Sequence, residues 1–280
     1  MSVRKGILFA VPGTTCREAM LGYDQIAAAT ALRFPGVEQR WTYTSEGIRR
    51  KLAAQGAPVK DPGAALAEMR ADGFTHVAVL SLHLSDGMEY GELTATVEAF
   101  ARQPGAPVRV ALGHALLTSK DDWRRALAAM LAELPDTPGE KDRIILVAHG
   151  SRDLQAKKTL AAAVQQCREF DPRLILGMML GTPGLSDVVR ECRDAEVTKV
   201  WLLPCMVVAG VSAREDIAGL GEMSWATVLE QAGIAPIPVI KGLGEIPGVV
   251  AIWMDGIERM LAELTETTGP AKVKRCVKKT

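Results

Sequence analysis

The chain has 280 residues, 48% hydrophobic and 24% charged, which supplies enough apolar material for a large core and excludes the composition of a disordered chain. Lysine plus arginine equals aspartate plus glutamate at 33 each, so the basic excess that nucleic acid or an anionic membrane demands of a partner is missing. Small molecules or further copies of the same chain are the expected partners. The five cysteines, Cys16, Cys167, Cys192, Cys205 and Cys276, show no C-x-x-C spacing and read as reduced thiols of a cytoplasmic protein.

The first apolar run, Gly6 to Val11, is broken by Pro12-Gly13 and lacks a small-x-small cleavage site, so it reads as a strand and not as a signal peptide. Further β-rich runs follow at Val37 to Tyr43, His76 to Leu84 and Val108 to Leu112, then at Ile144 to Ala148, Leu174 to Met179, Val200 to Val208 and Pro236 to Ile240. Between them lie segments rich in alanine, leucine and charge, such as "REAMLGYDQIAAATALRF", "LTATVEAFARQ", "QAKKTLAAAVQQCREF" and "LSDVVRECRDA", which have the composition of helices. The strands do not alternate strictly between apolar and polar, as expected where a parallel sheet is covered on both faces. No run approaches the roughly 18 apolar residues of a membrane span.

The two halves resemble each other. "KGILFAVPGTTCREA" aligns with "DRIILVAHGSRDLQA", and "HVAVLSLHLSDGMEY" with "KVWLLPCMVVAGVSA", which matches Gly13 to Gly150 and Gly87 to Gly210. The expected architecture is therefore α/β, with two similar lobes, each a parallel sheet flanked by helices, and a ligand cleft between them. The first lobe is residues 1–118. The second is 119–266 and begins with a linking amphipathic helix in "KDDWRRALAAMLAELP"; residues 267–280 form a basic tail expected to be solvated.

His149 follows the apolar "IILVA" and precedes Gly150-Ser151, which puts an imidazole where a strand ends and a helix begins. It is either a strand-capping residue hydrogen-bonded to a neighbouring loop or a metal ligand and base working near neutral pH. The Gly150-Ser151 and Gly13-Thr14 turns are candidates to open helices whose free N–H groups attract an anion, although neither carries a nucleotide fingerprint. His83 and Glu89 flank "LSDG" after the third strand of the first lobe and are candidates for the same mouth. His76 precedes its strand and is assigned no role, while His114 follows the fourth strand and faces either the cleft or the helix behind it. Glu245 and Pro247 read as a helix start, and Arg214, Glu215 and Asp216 as one helical turn.

"TSEGIRRKL", "SLHLSDGMEY", "VAHGS", "LLPCMVVAG" and "GLGEIPGVVAIWMDGI", in this order and spacing over nearly the whole chain, resemble the anaerobic cobalt chelatases of the CbiK type. These class II chelatases insert cobalt into sirohydrochlorin on the way to cobalamin. The resemblance implies two α/β lobes with a tetrapyrrole cleft between them, and it places the family's key histidine on His149, as metal ligand and acceptor of pyrrole protons. The family's glutamate falls on Leu180 and its second histidine on Ser212. In the internal repeat Glu89 matches Ser212, so His149 and Glu89 are the candidate catalytic residues, and His149, His83 and Glu89 the candidate metal ligands.

Metal insertion strips water from a divalent ion and removes two N–H protons, which calls for neutral or anionic ligands and a base. The implied substrate bears eight carboxylates, and Arg17, Arg152 and Arg214, each following a strand-end loop, are candidate contacts for them together with Gly13, Thr14 and Ser151. No permanently bound cofactor is expected; cobalt, or else nickel or iron, enters as substrate. The leading expectation is an enzyme, a sirohydrochlorin cobaltochelatase. The alternative, motivated by Leu180 and Ser212, is a non-catalytic paralogue that binds a tetrapyrrole or haem.

Overall fold

The computed structural model describes residues 3–103, 108–266 and 274–275. In the first half, β1 (Lys5–Val11), β2 (Glu38–Tyr43), β3 (His76–Ser81) and β4 (Arg109–Leu112) form a parallel sheet in the order β2-β1-β3-β4. From Gly6 to the end of β1 every residue but the first of the strand is buried, as a central strand covered on both faces requires. The helices of this half are α1 (Met20–Arg33), α2 (Glu46–Ala54), α3 (Pro62–Ala71) and α4 (Met88–Ala101). Asp61 starts α3 by accepting a hydrogen bond from the Ala64 N–H at 2.9 Å, with Pro62 supplying a preset first-turn φ. Leu66 and Met69 of α3 and Leu93 and Val97 of α4 then pack on Leu8 and Val79 of the sheet, each buried side chain contributing about 1.5–3 kcal/mol.

The second half repeats this plan. α5 (Lys120–Leu131) precedes β5 (Asp142–Gly150), α6 (Leu154–Phe170), β6 (Leu174–Leu180), α7 (Leu185–Asp194), β7 (Lys199–Pro204), α8 (Trp225–Gln231), β8 (Ala235–Pro238) and α9 (Pro247–Glu266). The strands run parallel in the order β6-β5-β7-β8, the same order as in the first sheet. Ile145 and Leu202 of the sheet are packed by Val188 of α7 and by Trp225 and Leu229 of α8. Among the described residues no helix is long and apolar enough to cross a membrane.

Four expectations need correction. The third strand stops at Ser81, short of Leu84, because the chain leaves the ladder after the Leu82 N–H bonds the Ala10 carbonyl. The seventh stops at Pro204, short of Val208: the carbonyls of Met206 and Val207 accept from the Leu243 and Gly244 N–H groups, so the "GLGE" segment, not a strand, satisfies that backbone. In the tail, Lys274–Arg275 form a two-residue strand, β9, paired with Ala111 and Leu112 of β4; the rest of 267–280, Cys276 included, lies outside the described residues.

The fourth correction is to the domain boundaries. The chain divides into one unit of Met1–Thr15, Ala27–Ser119 and Ala251–Thr280 and another of Cys16–Ile26 and Lys120–Val250, so that α1 and α9 are each split between the two. Contacts far apart in sequence decide this. Within the first unit, Arg33 pairs with Glu258 at 2.8 Å and Lys5 bonds Thr265 at 3.0 Å. Within the second, Gly22 sits against Val208 and the Gly244 backbone.

Candidate functional site

In both sheets the order reverses beside the first strand, so the chain leaves β1 and β3, and likewise β5 and β7, towards opposite edges of the sheet, and the carboxyl ends between them are where open α/β sheets hold ligands. The residues singled out from sequence fall at these two ends. The first helix after each central strand is reached through a glycine with positive φ, +95° at Gly13 and +75° at Gly150. A Cβ at Gly150 would stand 2.0 Å from the Leu180 carbonyl oxygen, and one at Gly13 would stand 2.3 Å from the Tyr43 ring. Glycine is thus required at both turns by backbone conformation and by space.

At the second sheet, His149 is the penultimate residue of β5 and is exposed, after five buried strand residues. Among the described residues no protein group hydrogen-bonds its ring. Although the residue reaches solvent, the protein crowded round its ring displaces part of the hydrating water, and this desolvation pushes its pKa below the ordinary imidazole value, while the negative charge of Asp216 pulls it up. The ring is therefore neutral at pH 7, with a lone pair to give. Gly150 pairs with Leu180 in the β5–β6 register, which places Leu180, 42% exposed, at the same sheet end. Ser212 begins a π-helical turn, Ser212–Ile217, that buries Ala213 and Ile217 and turns Arg214, Glu215 and Asp216 to solvent.

The loop after His149 is occupied with its own structure. Ser151 Oγ accepts the Asp153 N–H at 3.0 Å, and Asp153 caps α6 by accepting from Ala156 N–H at 2.8 Å. That first-turn donor, which the sequence suggested would attract an external anion, is taken by the chain's own carboxylate. Arg17 and Arg152 are exposed; Arg214 donates through Nε to the Ala209 carbonyl at 3.2 Å, and both Arg214 and Arg17 act on Glu18.

At the first sheet the arrangement is closed. His83 is 7% exposed, and its Nδ1 lies 2.9 Å from Ser81 Oγ and its Nε2 3.0 Å from Thr44 Oγ1. Thr44 in turn donates to Glu89 Oε2 at 3.2 Å or to the Val11 carbonyl at 3.1 Å, and Glu89 lies 3.6 Å from His83 Nε2. Glu89, in the first turn of α4, has its pKa lowered, chiefly by the neighbouring His83 and further by the Thr44 hydroxyl. Arg49 of α2 clamps the end of β2 by donating to both the Tyr43 and Thr44 carbonyls at 2.6 Å. Thr14 and Gly13 lie in the partly buried loop after β1, and His76 is at the opposite, amino end of β3.

Sequence reading placed His83 with Glu89, and the structure brings them together. It missed Thr44, Arg49 and Ser81. Two of these stand in "TSEGIRRKL", a segment noted for its resemblance but given no role. Among the described residues no group of three or more His, Cys, Asp or Glu side chains is gathered to hold a metal. Two open depressions flank α7 and include none of the predicted site residues.

Two helix-flanked parallel sheets of identical strand order, each with a polar carboxyl end, define the chelatase fold. SirB of Bacillus subtilis, solved with Fe3+, superposes with a TM-score of 0.66 at 16% identity, covering 96% of this chain and 100% of that one. The family model for cobalt chelatase (CbiK) matches residues 5–262, and the chain belongs to that family. The sirohydrochlorin cobaltochelatase CbiKC of Nitratidesulfovibrio vulgaris is 36% identical over 263 residues, covering 94% of this chain and 93% of that protein. The sirohydrochlorin cobaltochelatase of Salmonella typhimurium is 28% identical over 267 residues, covering 92% and 97%.

Proposed function

We propose that this protein is a cytoplasmic sirohydrochlorin cobaltochelatase, with cobalt as its metal and nickel or iron as the ions it must be tested against. Family membership and the names of the two relatives support the reaction. The observation that carries it in this chain is His149: a neutral imidazole at a strand end, with no hydrogen-bond partner on its ring among the described residues. Each turnover exchanges one divalent ion for two pyrrole protons. The His149 lone pair coordinates the incoming ion as water leaves it, or takes one of those protons. Glu89, held ionised at the carboxyl end of the first sheet, is assigned the role of a second proton acceptor. Arg17, Arg152 and Arg214 are assigned to substrate carboxylates, and the Gly13-Thr14 and Ser151 turns to its edges.

Leu180 and Ser212 favour a second reading, a tetrapyrrole-binding protein without insertion activity, since leucine cannot coordinate and a serine hydroxyl is a weak ligand. One experiment separates the two. Purified protein is mixed with sirohydrochlorin and Co2+, and the absorption change is followed against the uncatalysed rate. Insertion above that rate, abolished in His149→Ala, supports the enzyme. Tight tetrapyrrole binding with no acceleration in the wild type supports the carrier.

A further inference from the structure

The buried histidine of the first unit has no part in the reaction as proposed, yet it sits in the most fully connected polar cluster at either sheet end. Ser81 Oγ accepts the backbone N–H of His83 at 3.3 Å and lies 2.9 Å from Nδ1 of the same residue. Thr44 Oγ1 is flanked by two oxygens that can only accept, Glu89 Oε2 at 3.2 Å and the Val11 carbonyl at 3.1 Å, so its proton goes to them and Nε2 donates to it, which leaves Nδ1 to accept from the Ser81 hydroxyl. That Nε2–H faces Thr44 Oγ1 at 3.0 Å, and the Thr44 hydroxyl proton is then free to go to Glu89 Oε2 at 3.2 Å. Every donor in the chain has an acceptor, and all of them point towards one carboxylate.

We propose that His83 is not a metal ligand but the positioning residue of Glu89, acting with Ser81 and Thr44 as a one-way hydrogen-bond chain that fixes the carboxylate at the carboxyl end of the first sheet. The geometry argues against ligation directly. To coordinate an ion, Nε2 would have to lose its proton and its Thr44 bond, and the ring is almost fully buried. The chain is also tied to four elements. Ser81 closes β3, Thr44 follows β2 and is tethered by its own N–H to the Val11 carbonyl of β1 at 2.7 Å, and Glu89 opens α4. Arg49 pins the Thr44 carbonyl from the other side. A glutamate that was merely a solvated helix-start acid would not be reached from three strands. The anchored one is a preorganised charge, held in place before any substrate arrives.

The inference rests on the chelatase reading for its kinetic arm only. In the metal-free full chain, the ring 15N shifts of His83, assigned with His83→Gln, distinguish the Nε2–H from the Nδ1–H tautomer; Nε2–H is expected. In the insertion assay, Thr44→Val should lower kcat about tenfold, the size of one hydrogen bond to a charged group, and move the cobalt KM by less than about threefold. Thr44→Ser, which keeps the hydroxyl, should restore most of the rate. In a Glu89→Gln background, Thr44→Val should change kcat by less than about twofold, because the two residues act as one unit.

An Nδ1–H tautomer would overturn the proposal. So would a raised cobalt KM at constant kcat, which is the mark of a ligand, or full additivity with Glu89→Gln, which is the mark of a fold-only role. An inert wild type with the Nε2–H tautomer in place would instead remove the chelatase reading and leave the direction of the hydrogen-bond chain supported.

Discussion

The two sheet ends start from the same plan and finish differently. Both have the same strand order, and both leave the first central strand through a glycine at positive φ. Past the third strand they part. In the first unit a regular helix, Met88–Ala101, places Glu89 in its opening turn beside a buried, doubly bonded histidine. In the second, the matching position is Ser212 at the head of a short π-helical turn, and the histidine, moved to the end of the central strand, has no hydrogen bond from the protein among the described residues. An imidazole whose nitrogens are both committed can only shape its neighbours. One without commitments can bind an ion or a proton, so the same residue type serves opposite ends in the two units.

The largest break in this comparison is His149→Ala. Cobalt insertion should fall by about 10²–10⁴-fold, to the uncatalysed rate, as followed by the absorption of the product. The two glycines come next. Gly150→Ala places a methyl group against a backbone carbonyl that cannot move aside, and should lose about 3 kcal/mol of stability in urea unfolding. Gly13→Ala meets a tyrosine ring, which can give way, and should lose about 2 kcal/mol. Equal losses would show that φ alone, and not the neighbour, sets the requirement.

Leu180→Glu sharpens the contrast by giving the second sheet end a carboxylate like that of the first. One added charge near the ion, worth about 1–4 kcal/mol, should lower the cobalt KM by about tenfold or more in initial-rate measurements. An unchanged KM would mean that position 180 does not see the metal. The smallest effect is electrostatic. Asp216 raises the His149 pKa, so Asp216→Asn should move it further below the ordinary imidazole value of about 6.5 in an NMR titration of the metal-free protein. Acid must then go lower before the ring charges. A rise would remove Asp216 from the set of groups facing His149.

Much of this was visible along the chain because strands and helices announce themselves through local periodicity. The eight principal strands, the internal repeat and the strand-end position of His149 all follow from runs of a few residues. Strand ends were less visible: Pro204 and Val208 read as one apolar run, and only the Leu243 and Gly244 N–H groups, brought in from far along the chain, show that the ladder has stopped. The role of "TSEGIRRKL" was hidden for the same reason. Thr44 meets His83 39 residues away and Glu89 45 residues away, and nothing in its own neighbourhood marks it as their partner.

Sequence by itself therefore determined the alphabet of the fold, its duplication and the strand-end position of His149, since burial pattern and turn glycines are properties of short segments. Tertiary structure alone decided which histidine is locked and which is open, that α6 caps itself with Asp153, and that α1 and α9 are divided between the two units. Hydrogen-bond partners and packing neighbours are set by where the folded chain returns to itself, and composition and periodicity carry no record of that.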